Sequence, residues 1–375
     1  MERVRVLSIV SSLCVGGAEK HTVALLNELE LSRFKLSLAY LKPDEALLPQ
    51  LHHERLHGIL SLNVKTKLDW GAVRRLSQFI ETERIDVVLC TNEYPALYAL
   101  LASRLVRRRP KLVEVFHTTL YRTAKERIQM AIYRHVFRRF DLLVYVSSNQ
   151  QAYWRSRGLR AKRDIVIHNG IDTDLFQDCY SPQDKAALRA RLGFQPDDYI
   201  VAICAALRPE KAHGDFLQAL ALLRSRNSNI KGLIIGDGIE RDNIEAMIGQ
   251  LSLRDQVIIT GFQSDVRPLV ACSDVVVLAS HAVETFSVAA LEAMAIGKPM
   301  VLTRIGGADE QVDDDVEGFL FEPGDIEALA THLNTLSAVD KRTAMGKAAM
   351  SKVRQHFSQQ KMIAAFSNQL CATAA

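Results

Sequence analysis

Short apolar runs alternate with amphipathic segments along the whole chain. The first half contains seven runs that predict β-strands, namely Val4–Val10, Phe34–Leu41, Ile59–Val64, Ile85–Cys90, Lys111–His117, Asp141–Val146 and Asp164–His168. The second half contains six, namely Ile200–Ala206, Lys231–Gly236, Gln256–Gly261, Asp274–Ala279, Pro299–Thr303 and Gly318–Phe321. Several runs are apolar at every position, which is typical of a parallel sheet with helices on both faces.

Helical patterns fill most of the gaps between these runs. They include Ala18–Leu29, Gly71–Thr82, Asp215–Arg226, Ile239–Leu251 and Val288–Ile296, and the last segment, Thr343–Leu370, also has a helical pattern. Strand–helix alternation over 375 residues predicts an α/β protein with two doubly wound, Rossmann-like domains in tandem. Their carboxyl-end crevices would face each other across a cleft that binds ligands.

The regular pattern stops between Ile171 and Pro196, where turn and charged residues replace it. We therefore predict an N-terminal domain over residues 1–175 and a second domain over residues 176–355. Residues 356–375 form a C-terminal helix that could pack back on the first domain. This order leaves one deep cleft as the default ligand site.

Composition narrows the class of protein. Hydrophobic residues make up 48% and charged residues 24%, an ordinary balance for a globular protein. The six cysteines form no C-x-x-C pair, which favours a reducing compartment over a zinc site or a disulfide framework. No run approaches the roughly 18 apolar residues of a spanning helix, so we expect a cytoplasmic protein.

Charge is distributed unevenly between the two halves. Residues 1–180 hold 28 Lys and Arg against 19 Asp and Glu, whereas the remainder holds 19 against 24. This asymmetry suggests that the first half meets an anionic surface or substrate.

Two carboxylates, Glu284 and Glu292, lie eight positions apart after the predicted strand that ends at Ala279. The first falls in a polar loop and the second inside an apolar helix that stops at Gly297. Amides at the helix start suit a phosphate or a sugar hydroxyl, and Glu292 lies roughly 7.5 Å further along the axis, where it could bind a ribose diol. The spacing alone equally fits two helix carboxylates without a ligand.

Four neighbouring strand ends carry residues that suit a ligand. Arg208 and Lys211 follow one strand and could meet phosphates. The other strand ends carry Gly236-Asp237-Gly238, Gly261-Phe262 and Gly306-Gly307. Arg241 occupies the third glycine position of a dinucleotide-binding motif, so the glycines alone are weak evidence for a nucleotide site.

These motifs resemble glycosyltransferase family 4, whose members are retaining enzymes of GT-B architecture. The resemblance covers essentially the whole chain. It is carried by Gly16-Gly17-Ala18-Glu19, Phe116-His117-Thr118, Asn169-Gly170-Ile171-Asp172, Leu207–Lys211 and the pair Glu284 and Glu292 with the Glu-Ala-Met-Ala-x-Gly-Lys-Pro run. It implies that the first domain holds the acceptor and that the second binds a nucleotide sugar.

The resemblance also implies roles for single residues. Four would be catalytic: Lys211 and Arg208 on the leaving diphosphate, Glu284 on the donor sugar, and His117 near the developing positive charge. Donor-binding residues would be Gly16, Gly17, Glu292, Gly236, Gly238, Phe262, Thr285, Phe286 and Ser287. Glu292 would hold the ribose and the two N-terminal glycines would approach the diphosphate. The nucleotide sugar is a substrate, so we expect no cofactor.

The chain departs from the family pattern in two places. Ala206 stands where members commonly carry an arginine, so Arg208 substitutes for it or Lys211 acts alone. Thr285 and Ser287 replace glycines, which leaves the donor sugar open; we favour a uridine diphosphate sugar. The resemblance implies a metal-independent reaction with retention, and we interpret Asp313-Asp314-Asp315 as a solvated turn rather than a metal site.

Residues 107–139 contain ten Lys and Arg and only two acidic residues, and Arg122–Phe140 predicts a basic helix. It is either a surface helix that packs one stripe on the sheet, or a contact for anionic lipid or a lipid-linked acceptor. In the second case the protein would be peripheral on the inner face of the membrane. We interpret His281 as a solvated loop residue.

The predicted function is transfer of a sugar to a saccharide or lipid-linked saccharide in cell-surface polysaccharide synthesis. A nucleotide-sugar epimerase of the same architecture and a non-catalytic binding subunit are the alternatives. A nucleic-acid partner is not expected, because the basic segment lacks interleaved aromatic residues.

Overall fold

The computed structural model describes residues 3–14, 16–117, 124–224, 229–282 and 284–375. It divides into two compact units, residues 1–169 with 360–375 and residues 170–359. These boundaries lie within a few residues of those drawn on the sequence. Thr118, Arg122 and Arg226, which bounded predicted features, fall outside the described residues.

The first unit is built on a seven-stranded parallel sheet of order β3-β2-β1-β4-β5-β6-β7. Its strands are β1 Val4–Val10, β2 Phe34–Tyr40, β3 Leu56–Ser61, β4 Val87–Thr91, β5 Lys111–Phe116, β6 Leu142–Tyr145 and β7 Arg163–Val166. The helices between them are α1 Gly17–Glu28, α2 Trp70–Thr82, α3 Glu93–Ser103, α4 Ala124–Phe137 and α5 Ser148–Ser156. Successive residues of β1, such as Val6 and Leu7, belong to separate hydrophobic clusters, one on each face of the sheet.

The second unit is built on a six-stranded parallel sheet of order β10-β9-β8-β11-β12-β13. Its strands are β8 Tyr199–Cys204, β9 Ile230–Ile235, β10 Val257–Ile259, β11 Val275–Leu278, β12 Met300–Thr303 and β13 Gly318–Phe321. Its helices are α6 Pro182–Arg191, α7 His213–Arg224, α8 Arg241–Gln250, α9 Arg267–Cys272, α10 Val288–Ala295, α11 Ala308–Gln311, α12 Ile326–Thr335 and α13 Val339–His356. The prediction of two Rossmann-like domains is confirmed.

Helix α6 lies inside the segment that the sequence analysis treated as a boundary without regular structure. Ser181 caps it through the amide of Asp184, Asp184 caps the Ser181 amide in return, and Pro182 occupies its first turn. Arg189 then ties the helix to the sheet, with its Nη2 3.0 Å from Asp274 Oδ2. Helix α6 has no buried residue, so it lacks the apolar periodicity that predicts a helix. Its capping residues, Ser181 and Asp184, were the available signal.

The predicted single helix over Thr343–Leu370 is wrong, because the chain breaks after α13. Ile171 donates its amide to the carbonyl of Phe357 and accepts from the amide of Gln359, at 2.9 and 2.8 Å. This pairing takes residues 357 and 358 out of the helix. A new helix, α14 Gln359–Ala374, then covers the first unit with Met362, Ile363, Phe366 and Leu370 in its core.

Strand β3 lies three residues before the predicted run Ile59–Val64. It is an edge strand that pairs with β2 from Leu36 and Leu56 onward, with an irregularity after the first pair. Its inward residues are only half-buried, so hydrophobicity does not mark its start.

Candidate active site

An ion pair joins two loops at the carboxyl edge of the second sheet. Lys211 closes a short 3-10 turn after β8, and Glu284 lies in the loop after β11. Strands β8 and β11 are hydrogen-bonded neighbours, so their ends meet although the residues are 73 positions apart. Lys211 Nζ lies 2.6 Å from Glu284 Oε2, and both side chains are about one-fifth exposed. Ser280 Oγ donates to the same carboxylate oxygen at 3.3 Å.

Helix α10 begins directly after this loop. Ser287 caps it by accepting from the amide of Ala290 at 3.2 Å. The backbone of Ser287 is itself held by Gln311, whose Oε1 accepts from the amide and whose Nε2 donates to the carbonyl. Glu292 follows on the same helix and is half-buried. The helix start is thus fixed before any ligand arrives, but the Ser287 amide is already engaged.

The Phe286 side chain packs inward rather than toward the cleft edge. It is buried, and its ring meets that of Phe357 edge-on with centroids 5.2 Å apart. Gly306 packs against the backbone of Glu284. Its φ is +57°, and a Cβ at this position would lie 1.6 Å from the carbonyl oxygen of Glu284. Gly307 donates its amide to the carbonyl of Thr285 at 2.9 Å. Only glycine at 306 permits this approach.

Gly236 and Gly238 lie against the loop that follows β8. A Cβ on Gly236 would lie 2.1 Å from the carbonyl oxygen of Ala205, and one on Gly238 would lie 2.4 Å from that of Leu207. Gly236 also bonds to Gly261, which precedes Phe262. Phe262 is 73% exposed, a large aromatic surface at the strand ends. The structure therefore joins these loops to the one that carries Arg208, which is exposed at the start of the 3-10 turn.

His281 is not simply a solvated loop residue. Its Nε2 lies 2.5 Å from Asp215 Oδ2 of α7, and its amide donates to the carbonyl of Glu210 at 3.0 Å. The ring remains nearly half exposed. The contact ties the loop of Glu284 to the turn that carries Lys211.

A buried histidine follows the same turn. Ala212 has a left-handed φ of +48°, and His213 begins α7 with a buried ring. Burial, aided by nearby Lys211, lowers the pKa of His213 to about 4, so the ring is neutral at pH 7.

Sequence reasoning missed Asp215, Gln311 and His213. Each acts on a residue distant in the chain or is hidden in the core, so no local motif marks it.

The first unit brings its own candidate residues together. Gly16 caps α1 and Gly17 begins it, with no atom within 4 Å of a Cβ placed on Gly17. His117 follows β5, and its amide donates to Asn92 Oδ1 at 3.1 Å. The His117 ring meets that of His21 edge-on, with centroids 5.3 Å apart. Since His21 belongs to α1, the helix start and His117 share one edge of the sheet.

Both of these histidines are uncharged at neutral pH. Burial lowers the pKa of His117 to about 4. Burial and the neighbouring His117 lower the pKa of His21 well below its usual value.

The three consecutive aspartates form an exposed turn with basic partners. Lys352 Nζ lies 2.9 Å from Asp313, Lys341 Nζ lies 2.6 Å from Asp315, and Arg304 lies 3.5 Å from Asp314. In the part of the chain that the structure describes, no group of three or more His, Cys, Asp or Glu residues could hold a metal ion. A search of the same residues also finds no helix with the length and apolar character needed to cross a membrane.

Two units that are each built on a Rossmann-like parallel sheet with helices are the architecture of GT-B glycosyltransferases. Two family models match the chain: Glycosyltransferase Family 4 over residues 15–175 and Glycosyl transferases group 1 over residues 184–352. The chain belongs to glycosyltransferase family 4 and is a glycosyltransferase.

Known proteins are similar over most of their length. N-acetyl-alpha-D-glucosaminyl L-malate synthase of Bacillus anthracis is 26% identical over 302 residues, which are 80% of this chain and 77% of that protein. HepE of Anabaena in complex with UDP is 25% identical with a TM-score of 0.87, covering 98% of this chain and 100% of HepE. HepE in complex with UDP-glucose is 26% identical with a TM-score of 0.83, covering 99% of each chain.

Proposed function

We propose that this protein is a retaining, metal-independent glycosyltransferase that uses a nucleotide-diphosphate sugar, preferably a uridine diphosphate sugar. The acceptor is a saccharide or lipid-linked saccharide of cell-surface polysaccharide synthesis, and no cofactor takes part. The protein works in the cytoplasm, peripheral to the inner face of the membrane. The complexes of HepE with UDP and UDP-glucose support the choice of donor.

The observation that carries the proposal is the ion pair between Lys211 and Glu284 at 2.6 Å. A diphosphate that enters this edge competes with Glu284 for the ammonium group of Lys211. The released carboxylate can then accept hydrogen bonds from the hydroxyls of the donor sugar. In this exchange the ammonium group gains a phosphate partner, and the carboxylate keeps its hydrogen bonds through the sugar hydroxyls.

The reaction places negative charge on the leaving diphosphate. The bond between the anomeric carbon and the phosphate oxygen breaks, and its electron pair departs with the diphosphate. Lys211 and Arg208 meet that charge as it develops. The acceptor hydroxyl attacks from the same face, its proton passes to the departing phosphate, and the configuration is retained without a protein nucleophile.

Glu292 and the first unit complete the assignment. Glu292 would accept from the ribose hydroxyls, one and a half turns beyond the Ser287 cap. Gly16 and Gly17 allow the amides at the start of α1 to approach phosphate. His117 lies beside the transferred sugar as a neutral group.

A thermal-shift panel of nucleotide sugars tests this function directly. A donor at about 100 times its dissociation constant should stabilise the protein by roughly 2.7 kcal/mol. The product formed from that donor in excess chelator should carry the same anomeric configuration as the donor. Failure of every nucleotide sugar to bind would refute the proposal, and an epimer formed from the donor alone would identify an epimerase instead.

A further inference from the structure

The first unit contains a cavity of about 1000 Å³ at the carboxyl ends of β1, β2 and β3. Its apolar wall is formed by side chains from the loop after β3 and from helices α3 and α4: Val64, Tyr94, Leu97, Ile128, Ile132 and Tyr133. Three lysines, Lys42, Lys65 and Lys67, line it from the loops after β2 and β3. The volume is at the upper end of the range for small-molecule sites.

Helix α4 presents two aliphatic side chains to this cavity. Ile128 is 69% exposed and Ile132 is 62% exposed. They are four positions apart and therefore lie on one face of the helix. The opposite face packs into the core through Met130 and Phe137. An exposed aliphatic pair beside a large cavity indicates a surface that an apolar ligand covers.

The three lysines carry positive charge without compensation. Among the residues that the structure describes, no ion pair joins Lys42, Lys65 or Lys67 to a carboxylate. The nearby Asp69 accepts instead from the amide of Ala72, as the cap of α2. Three like charges around one cavity repel each other unless an anion enters.

Tyr94 contacts two of these lysines. Its hydroxyl donates to the carbonyl oxygen of Lys67 at 3.2 Å, which fixes the loop after β3. Lys42 Nζ lies 6.0 Å from the centroid of the same ring. The cationic side of the cavity is therefore built on a packed aromatic side chain rather than on free loops.

We infer that this cavity binds the acceptor and that the acceptor is an amphiphile, with a phosphate among the three lysines and an apolar chain against Ile128 and Ile132. The inference rests on the proposed transferase function and names the acceptor's chemical class. An uncharged saccharide would leave the lysines uncompensated and the isoleucines in water. The flat surface of a bilayer would not fill a cavity of this size.

Decyl phosphate, used below its critical micelle concentration, is the probe. Isothermal titration calorimetry on the full chain should show saturable binding of decyl phosphate. Binding of 1-decanol and of inorganic phosphate should each be weaker by about tenfold or more, since each supplies only one half of the ligand. Titration of UDP into the same preparation measures the donor site independently.

Charge-matched variants test the location. The double variant Lys65→Gln with Lys67→Gln should weaken decyl phosphate binding by about tenfold and leave UDP binding unchanged. Lys35→Gln with Lys111→Gln removes the same charge at the opposite edge of the same sheet and should change neither affinity. Ile132→Ser should weaken decyl phosphate binding with the fold intact, because Ile132 is exposed, whereas the exposed Ile59→Ser should not.

The outcomes separate the inference from the function on which it rests. UDP binding without decyl phosphate binding would overturn the inference and leave the transferase function in place. Binding of neither ligand would overturn both. Binding to anionic vesicles that decyl phosphate does not displace, and that the Lys65 and Lys67 variant does not weaken, would assign this face to a membrane surface and also overturn the inference.

Discussion

The carboxyl edge of the second sheet and the cavity of the first unit handle charge in opposite ways. At the second-unit edge, Lys211 already has Glu284 as its partner and His281 has Asp215. In the first unit, the three lysines of the cavity have no ion-pair partner among the described residues, and His117 of the same unit is neutral. A paired cation can exchange partners as charge moves during a reaction, whereas an unpaired one suits a ligand whose charge stays constant. The contrast favours chemistry at the second unit and anchoring at the first.

Removal of the exchangeable cation should have the largest effect. Lys211→Ala should lower turnover by about 100- to 1,000-fold, because no other ammonium group replaces it at the leaving phosphate. Lys341→Ala is the matched control, since Lys341 forms an ion pair of the same 2.6 Å length with Asp315. Steady-state rates of both variants at saturating donor measure the loss of turnover. Near-normal turnover of Lys211→Ala would show that the pair is only structural.

A change in the backbone behind Glu284 should have the next largest effect. Gly306→Ala places a Cβ against the carbonyl of Glu284, so the loop must move, and displacement of about 1 Å can cost on the order of 100-fold in rate. Gly324→Ala controls for the left-handed conformation, since φ is +82° there and nothing lies within 4 Å. If both variants lose activity equally, the effect comes from backbone strain and not from Glu284.

Loss of the second carboxylate should affect binding of the donor more than turnover. Glu292→Gln should raise the KM for donor by about tenfold with little change in kcat, because one charge-assisted hydrogen bond to the ribose is weakened. Glu327→Gln changes an exposed glutamate near the start of α12 and should leave both constants unaltered. A fall in kcat with unchanged KM would contradict the ribose assignment.

The sheets could be predicted from the sequence because a strand that is buried on both faces is apolar at successive positions. The Lys211 and Glu284 positions could be predicted because strand ends in parallel sheets collect at one edge. Their direct contact could not, since it depends on the order of strands β8 and β11. The hydrogen bonds between Gln311 and Ser287, and from the His281 ring to Asp215, could not be predicted for the same reason.

The cavity could not be predicted for a different reason. Its lysines lie in two separate loops and its isoleucines on a helix, so no segment contains the whole pattern. The basic segment that the sequence singled out contributes Ile128 and Ile132 to the cavity, but the lining lysines come from elsewhere. Net charge pointed to the half of the chain that contains the cavity, but not to the residues that line it.

The smallest effect on activity, and a distinct effect on stability, should come from Glu114 in the core of the first unit. Its side chain is fully buried, and neither carboxylate oxygen has a hydrogen-bond partner within the described part of the chain. Burial, with a lesser contribution from Glu93, raises the pKa of this carboxyl well above its usual value of 4.5. The folded protein therefore holds the proton more tightly than the unfolded chain, and stability falls as pH rises above about 4.5 toward the raised pKa of Glu114.

Glu114→Met should raise the free energy of unfolding at pH 7 by about 1–3 kcal/mol, because the buried unpaired carboxyl is replaced by an apolar side chain. The gain should shrink as the pH falls toward 4.5. Glu114→Gln is the matched comparison, since it removes the titration of Glu114 but keeps a buried polar group. It should remove the contribution of Glu114 to the pH dependence of stability, while the buried histidines keep theirs. Urea unfolding at several pH values measures both, and UDP affinity should stay constant throughout. If the difference in stability between the wild type and Glu114→Gln does not change with pH over this window, Glu114 ionises normally, and charge in the first unit is not confined to its surface.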